Sequence, residues 1–274
     1  MIHAMLARFR QGHRTMRFPA GPPPELPTHY RGLPSIDRDK CSTDCHACAE
    51  ACPTQAITIN GTPRLDLGRC LFCTDCLRAC PSGAMAFSRD YRMATDSRDD
   101  LLIQDNVLRL AQGLQGRLLR LFGRSLKLRQ VSAGGCNGCE LDVNVLGTVG
   151  WDLGRFGIQF VASPRHADGL LVTGCVSENM RMALQKTYDA LTPPKIVIAV
   201  GACAISGGPF IDHPEVHNGV AQMLPVDLFI PGCPPHPLTI LDGLLRFLGR
   251  IESDADTVPQ KSEYRDAGFQ HGVP

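Results

Sequence analysis

The spacing of apolar and polar residues changes several times along the chain. MIHAMLARFRQ sets Met1, Ile2, Met5, Leu6 and Phe9 beside Arg8 and Arg10, a pattern that suits either a membrane surface or a subunit contact. FPAGPPPELPTHYRGLP (18–34) is too rich in proline for a helix or a central strand and is expected to run extended around its neighbours. Between Leu101 and Phe122, apolar residues recur at Ile103, Val107, Leu110, Leu114, Leu118 and Leu121, and Gly123 follows. This helical spacing predicts an amphipathic connecting helix within 93–125. Beyond it the apolar residues come in short unbroken runs, LLVTG (170–174), IVIAVG (196–201) and LFIPG (228–232), with helical stretches near 178–191 and 237–248. Buried parallel strands alternating with helices predict a doubly wound α/β sheet over 126–250. The tail, 251–274, is polar and acidic.

Composition changes this picture little. The 274 residues leave room for two domains, and 43% hydrophobic with 20% charged residues is an ordinary globular mix. A net charge of +1 makes no case for a nucleic-acid partner, although residues 1–40 hold seven Lys/Arg against three acids. IVIAVGACAISGGPFI, the most apolar run, is broken by glycines and too short to span a bilayer. Arg8 and Arg10 interrupt any signal-peptide core, so the expected location is cytoplasmic. In that reducing compartment thirteen cysteines point to metal binding rather than to disulfides.

Eight of those cysteines lie in 35–92, a stretch with too little apolar bulk to fold without a metal core. It is an internal repeat: CSTDCHACAEACPTQAI and CLFCTDCLRACPSGAM align cysteine by cysteine after the first. Cys70, Cys73, Cys76 and Cys80-Pro81 follow the C-x2-C-x2-C-x3-C-P run of cubane 4Fe–4S sites, in which the fourth cysteine reaches the other cluster. In the first copy Cys41 stands one residue too early. Either the extra residue is bulged out and Cys41 still reaches iron, or that cluster has a labile iron, or Ser42 supplies an oxygen.

Residues 35–92 resemble a two-cluster bacterial ferredoxin, a small α+β domain. The resemblance implies that Cys41, Cys45, Cys48 and Cys80 hold one cluster and Cys70, Cys73, Cys76 and Cys52 the other. The remaining five cysteines lie where a parallel sheet gathers its sites, after the strands: Cys136 and Cys139 after LKLRQVS, Cys175, Cys203 and Cys233 after the later runs. Spacing does not say which four would share a cluster. GGCNGCELD, VGACAISGG and PGCPPHP, however, resemble the small subunit of nickel–iron hydrogenases and the homologous cluster-bearing subunit of respiratory complex I. That resemblance implies a flavodoxin-like domain whose ligands are Cys136, Cys139, Cys203 and Cys233, with Cys175 spare. The C-x2-C spacing of Cys136 and Cys139 is the hydrogenase-type one.

By the same analogy Glu140 could relay protons, although an acid at a helix start has its own reason in the dipole. Arg165 and His166 could line a partner-facing cavity or only a solvated loop. His213 and His217 have a spacing that could hold a metal, but the loop around Pro214 favours a polar insertion. No P-loop or dinucleotide fingerprint is present. HRTMRFPAGPPPELPTHYRGLPSID is similar to the lead-in of the ferredoxin-type subunit of complex I and of membrane-bound hydrogenases, so the chain resembles two neighbouring electron-transfer subunits joined in one.

The expectation is an electron-transfer subunit with three 4Fe–4S clusters in a complex I-like nickel–iron hydrogenase of formate hydrogenlyase type. Its partners would be a catalytic large subunit, a donor or acceptor protein at the ferredoxin domain and membrane subunits holding it to the inner face of the cell membrane. The alternatives are the same wire serving a nickel-free enzyme that reduces a quinone or another acceptor, and a zinc-bearing scaffold. Cys41→Ala is expected to lose or convert one cluster while Ser42→Ala leaves the iron count unchanged; equal iron loss in the two would make the assignment of Cys41 wrong.

Overall fold

A computed structural model of the chain describes residues 2–12, 14–42 and 44–251; the polar tail beyond 251 lies outside them. Helix α1 (Ile2–Gln11) comes first, and from Arg14 to Leu33 the proline-rich segment forms neither helix nor strand. A small α+β unit follows, with β1 (Pro34–Ile36), α2 (Ala47–Glu50), β2 (Ile57–Asn60), β3 (Thr62–Asp66), α3 (Asp75–Ala79), β4 (Met85–Phe87) and β5 (Leu102–Ile103). β1 pairs antiparallel with β4, and β3 lies antiparallel between β2 and β5.

After α4 (Gly116–Phe122) the chain alternates through β6 (Leu126–Ser132), α5 (Gly138–Val145), β7 (Ile158–Phe160), β8 (Gly169–Thr173), α6 (Glu178–Asp189), β9 (Ile196–Val200), α7 (Ala202–Ser206), β10 (Leu228–Ile230) and α8 (Pro237–Phe247). The sheet is parallel throughout, in the order β10-β9-β8-β6-β7. Counted within this half it reads 2-1-3-4-5, the flavodoxin-like order whose switch point falls between its first and third strands. Here those strands are β6 and β8.

Both faces of the sheet are covered, because successive side chains of a strand alternate faces. Leu171, Ile198 and Ile230 pack under Val143 of α5 and Leu241 and Leu244 of α8. Leu170, Val172 and Phe229 pack on the other face with Leu184 of α6, and the same apolar cluster continues into the small unit through Leu67, Phe87 and Leu101. The two halves therefore share a core. Thr95 extends the seam by exchanging backbone hydrogen bonds of 3.0 and 2.8 Å with Phe229, which covers the free edge of β10.

The connecting helix is shorter than its apolar spacing predicts. Ile103 belongs to β5 and pairs with Leu65, Asp105 and Asn106 turn with φ of 61° and 60°, and helix resumes only at Gly116. Tertiary pairing overrides the periodicity: Asn106 Oδ1 accepts from the Ile36 amide at 2.8 Å while its Nδ2 donates to the Ile36 carbonyl at 2.9 Å, so its side chain stands in for a strand partner of β1.

One charged pair lies inside this core. Arg246 Nε donates to Asp242 Oδ2 at 2.8 Å, with the two side chains 3% and 1% exposed. Burial pushes the Asp242 carboxyl up, against the pull of Arg246 and Arg92. Removing one partner would strand the other charge, so Arg246→Ala is expected to cost about 3–5 kcal/mol, whereas the double change Asp242→Leu/Arg246→Leu costs much less. Chemical unfolding midpoints of anaerobically prepared protein measure the difference.

Candidate metal centres

In the small unit the thiols are brought together across the repeat. Burial raises the Cys48 thiol, and Cys41, Cys80 and Cys45 raise it further. Cys41 is raised by burial and then by Cys80 and Cys45. In the other group burial pushes Cys76 up to about 12, with Cys73 and Cys52 next in order. Burial likewise holds Cys70 far above its ordinary value, opposed by the Phe72 amide and reinforced by Cys76 and Cys52. Each group thus holds three cysteines of one run and the last cysteine of the other.

The two crossing cysteines have matching surroundings. The Ala56 amide donates to Cys52 Sγ at 3.2 Å, and the Ala84 amide donates to Cys80 Sγ at 3.2 Å. The hydroxyl two residues on lies near each sulfur, Thr54 at 3.8 Å and Ser82 at 3.6 Å. The turn residues Gln55 and Gly83 both have positive φ, 51° and 64°. Amides aimed at sulfur stabilise a thiolate. Burial acts upward on Cys80 too, yet the amides of Met85, Ala84 and Ser82 and the Ser82 hydroxyl bring its thiol below the ordinary value.

The first loop differs from the second where the extra residue enters. Thr74, which opens α3, has φ 71°, whereas its counterpart His46 before α2 has φ −112°. The Cys45 amide donates to the Ser42 carbonyl at 3.3 Å, so the longer loop closes as a turn. Cys41 is half-buried beside its group, and Ser42 is exposed.

The third group lies at the carboxyl edge of the parallel sheet. Burial is the largest influence on Cys139 and carries it well above its ordinary value, followed by Cys203, Glu140, Cys233 and Cys136. Burial also pushes Cys203 up to about 12, with Cys233, Cys175 and Cys136 adding to it. Cys136 and Cys233 are exposed, so one rim of this group is open to solvent. Glycine makes the approach possible: with φ +90°, Gly201 lies where an added Cβ would come within 2.5 Å of Cys139 Sγ.

Among the described residues no three His, Cys, Asp or Glu side chains are close enough to share a single ion. Three groups of four facing thiols, with amides directed at several sulfurs, fit a polynuclear group that takes one thiolate at each iron. Cys175 is buried and donates its S–H to the Gly134 carbonyl at 3.3 Å, next to this third group.

Glu140 is buried at the switch point. Its Oε1 accepts from Ser132 Oγ and from Thr173 Oγ1, both at 2.6 Å, and those two residues end β6 and β8 as register partners. Burial acts upward on the carboxyl, but the two hydroxyls bring it below its ordinary range. The crevice in which this sheet order admits a ligand is thus filled by the residue after Cys139, which ties α5 to both strands. Sequence reasoning did not find Ser132 and Thr173, because nothing in either strand marks a hydroxyl as a carboxylate partner.

The remaining candidates are not drawn into these groups. Arg165 and His166 lie just before β8, at the sheet edge opposite the cysteines. His213 Nδ1 accepts from the Glu215 amide, and His217 Nε2 pairs with Glu178 Oε2 at 2.5 Å. One ring nitrogen of each histidine thus has a local partner.

The three groups are also neighbours in series. Cys48 acts on the Cys76 thiol, and Cys73 acts on the Cys233 thiol. The second group is thus within electrostatic range of both the first and the third. Its position is held by the seam, where Ser206 Oγ donates to the Gly68 carbonyl at 2.9 Å and Arg31 Nη1 donates to the Phe72 carbonyl at 2.8 Å.

Comparison with known proteins agrees with both halves. Residues 136–247 match the family of the NADH ubiquinone oxidoreductase 20 kDa subunit, and residues 40–84 match the 4Fe–4S dicluster domain. A probable membrane-bound hydrogenase subunit of Pyrococcus furiosus is 41% identical over 49% of this chain and 81% of its own length. Formate hydrogenlyase subunit 7 of Escherichia coli is 43% identical over 58% of this chain and 63% of its own. An NADH-quinone oxidoreductase subunit of Phocaeicola vulgatus is 39% identical over 57% of this chain and 82% of its own.

Since a Cβ at Gly201 would come within 2.5 Å of the Cys139 sulfur, Gly201→Ala is expected to displace that thiol and lower the iron content of anaerobically purified protein. The loss falls on the third group alone, and the ferredoxin-type electron paramagnetic resonance signals persist.

Proposed function

The chain belongs to the family of the NADH ubiquinone oxidoreductase 20 kDa subunit, and we propose accordingly that it joins a donor protein at its ferredoxin half to a catalytic large subunit at its sheet edge. It is an iron–sulfur electron-transfer subunit of a multisubunit oxidoreductase. Twelve cysteines would hold three 4Fe–4S clusters: Cys41, Cys45, Cys48 and Cys80 the first, Cys70, Cys73, Cys76 and Cys52 the second, and Cys136, Cys139, Cys203 and Cys233 the third. When bound, such clusters supply one-electron transfer. The observation that carries this reading is that the second thiol group lies within electrostatic range of both others, Cys48 acting on Cys76 and Cys73 on Cys233.

The protein's own residues supply position and environment. Amides at Ala56 and Ala84 face the crossing sulfurs, and Gly201 leaves space for Cys139. Glu140 anchors the start of α5, next to Cys139, through the hydroxyls of Ser132 and Thr173, which draw its carboxyl below its ordinary value. The open rim at Cys136 and Cys233 suits a large subunit that covers it. The C-x2-C spacing of Cys136 and Cys139 supports a large subunit of the nickel–iron hydrogenase type, and the relatives named for membrane-bound hydrogenase and formate hydrogenlyase support the same reading. The similarity to the NADH-quinone oxidoreductase subunit supports a second reading, the same relay ending at a nickel-free partner that serves a quinone or another acceptor. In both, partner subunits would hold the chain at the membrane, on its cytoplasmic side.

Anaerobic purification of the complex followed by metal analysis tests this. A brown chain with about twelve irons, beside a large subunit that contains nickel, is the expected result. Iron without nickel would favour the second reading, and a colourless chain would overturn both.

A further inference from the structure

Helix α1 leaves its apolar side chains uncovered. The side chains from Ile2 to Ala7, together with Phe9 and Arg10, are all exposed, the large apolar ones included: Ile2 73%, Met5 63%, Leu6 47% and Phe9 83%. Those four occupy positions i, i+3, i+4 and i+7, which line up as one stripe on a helix. A soluble helix normally turns such a stripe to its own core.

The charge around it has one sign. From residue 2 to residue 24 the sequence holds Arg8, Arg10, Arg14 and Arg17 and no acidic residue; the first is Glu25. Arg10, Arg14 and Arg17 are exposed and form no ion pair among the described residues. Arg10 and His3 lie together along one side of the apolar stripe. Protein interfaces bury patches depleted in charge at their centre, with a polar rim. A short apolar stripe with arginines near it and no acidic residue before Glu25 complements a layer of anionic headgroups over acyl chains.

The helix is tethered rather than loose. Gly12, at φ +62°, breaks it from the chain that follows, and that chain is fastened to the α/β half. Thr15 Oγ1 donates to the Val149 carbonyl at 2.9 Å, the Met16 amide donates to the Gly150 carbonyl at 3.0 Å, and Arg155 donates to the carbonyls of Met16 and Phe18 at 2.5 and 2.6 Å. Val149 is itself 69% exposed at this corner.

We propose that α1 binds directly to the surface of an anionic lipid bilayer, with Ile2, Met5, Leu6 and Phe9 inserted among the acyl chains and Arg10, Arg14 and Arg17 at the headgroups. The chain then has a membrane contact of its own in addition to any made by partner subunits. This contact is independent of what the cysteines hold.

Co-sedimentation of the full chain with vesicles tests the proposal. The expected result is pelleting with phosphatidylglycerol/phosphatidylethanolamine vesicles, release by salt, and little pelleting with phosphatidylcholine. Phe9→Glu, and separately Arg14→Glu/Arg17→Glu, should each weaken binding about tenfold or more, with iron content and visible spectrum unchanged because these side chains support no core. Failure of the wild-type chain to pellet, or pelleting of Phe9→Glu equal to wild type, would overturn it. A wild-type chain that ignores vesicles, combined with loss of co-purifying membrane subunits in Phe9→Glu, would assign the stripe to a protein partner and overturn it as well.

Discussion

The small unit depends on an exchange of thiols between its two repeats. Cys80 faces the cysteines of the first run and Cys52 those of the second, so neither group of four can assemble without both loops in place. Metal-binding free energy here would add to the folding free energy of the apolar core that this unit shares with the sheet. The same exchange explains why the surroundings of Cys52 and Cys80 match so closely: each must end its helix, turn through a positive φ and present its sulfur to an amide.

The α/β half meets a different constraint. A sheet in the flavodoxin-like order offers a crevice at its switch point, and Glu140 fills this one by accepting two hydrogen bonds from the last residues of β6 and β8. The third group of thiols lies beside it, after β6, β9 and β10, with Cys136 and Cys233 on an open rim. A shared apolar core, the pairing of Thr95 with Phe229 and the hydrogen bond from Ser206 to Gly68 then keep Cys73 within electrostatic range of Cys233. Two units that are separate in the sequence pattern thus become a single frame with its thiol groups in series.

Much of this is legible in the residues because it is local. The spacing of Cys70, Cys73, Cys76 and Cys80 specifies a loop around a cubane whatever surrounds it, and unbroken apolar runs specify strands buried on both faces. Strand β6 matches LKLRQVS, and α6 and α8 coincide with the helical stretches that the spacing predicts. Edge strand β7 and the short strands of the small unit are not legible, since two to five residues carry too little periodicity to separate strand from loop.

Relations between distant residues belong to the packed molecule. Apolar spacing from Ile103 to Leu121 is helical, yet Asn106 pairs with Ile36 and Ile103 with Leu65, and those long-range hydrogen bonds leave only Gly116–Phe122 as helix. Glu140 is legible as an acid at a helix start, but its hydrogen bonds to Ser132 and Thr173 are visible only in the fold. The stripe in MIHAMLARFRQ is plain in the residues, but only the fold establishes that nothing in the described chain covers it. Residue order alone specifies which groups bind and roughly where strands and helices form, because those depend on neighbours a few positions away. The order of the thiol groups, the carboxylate's partners and the uncovered face depend on packing, which brings together residues that no spacing relates.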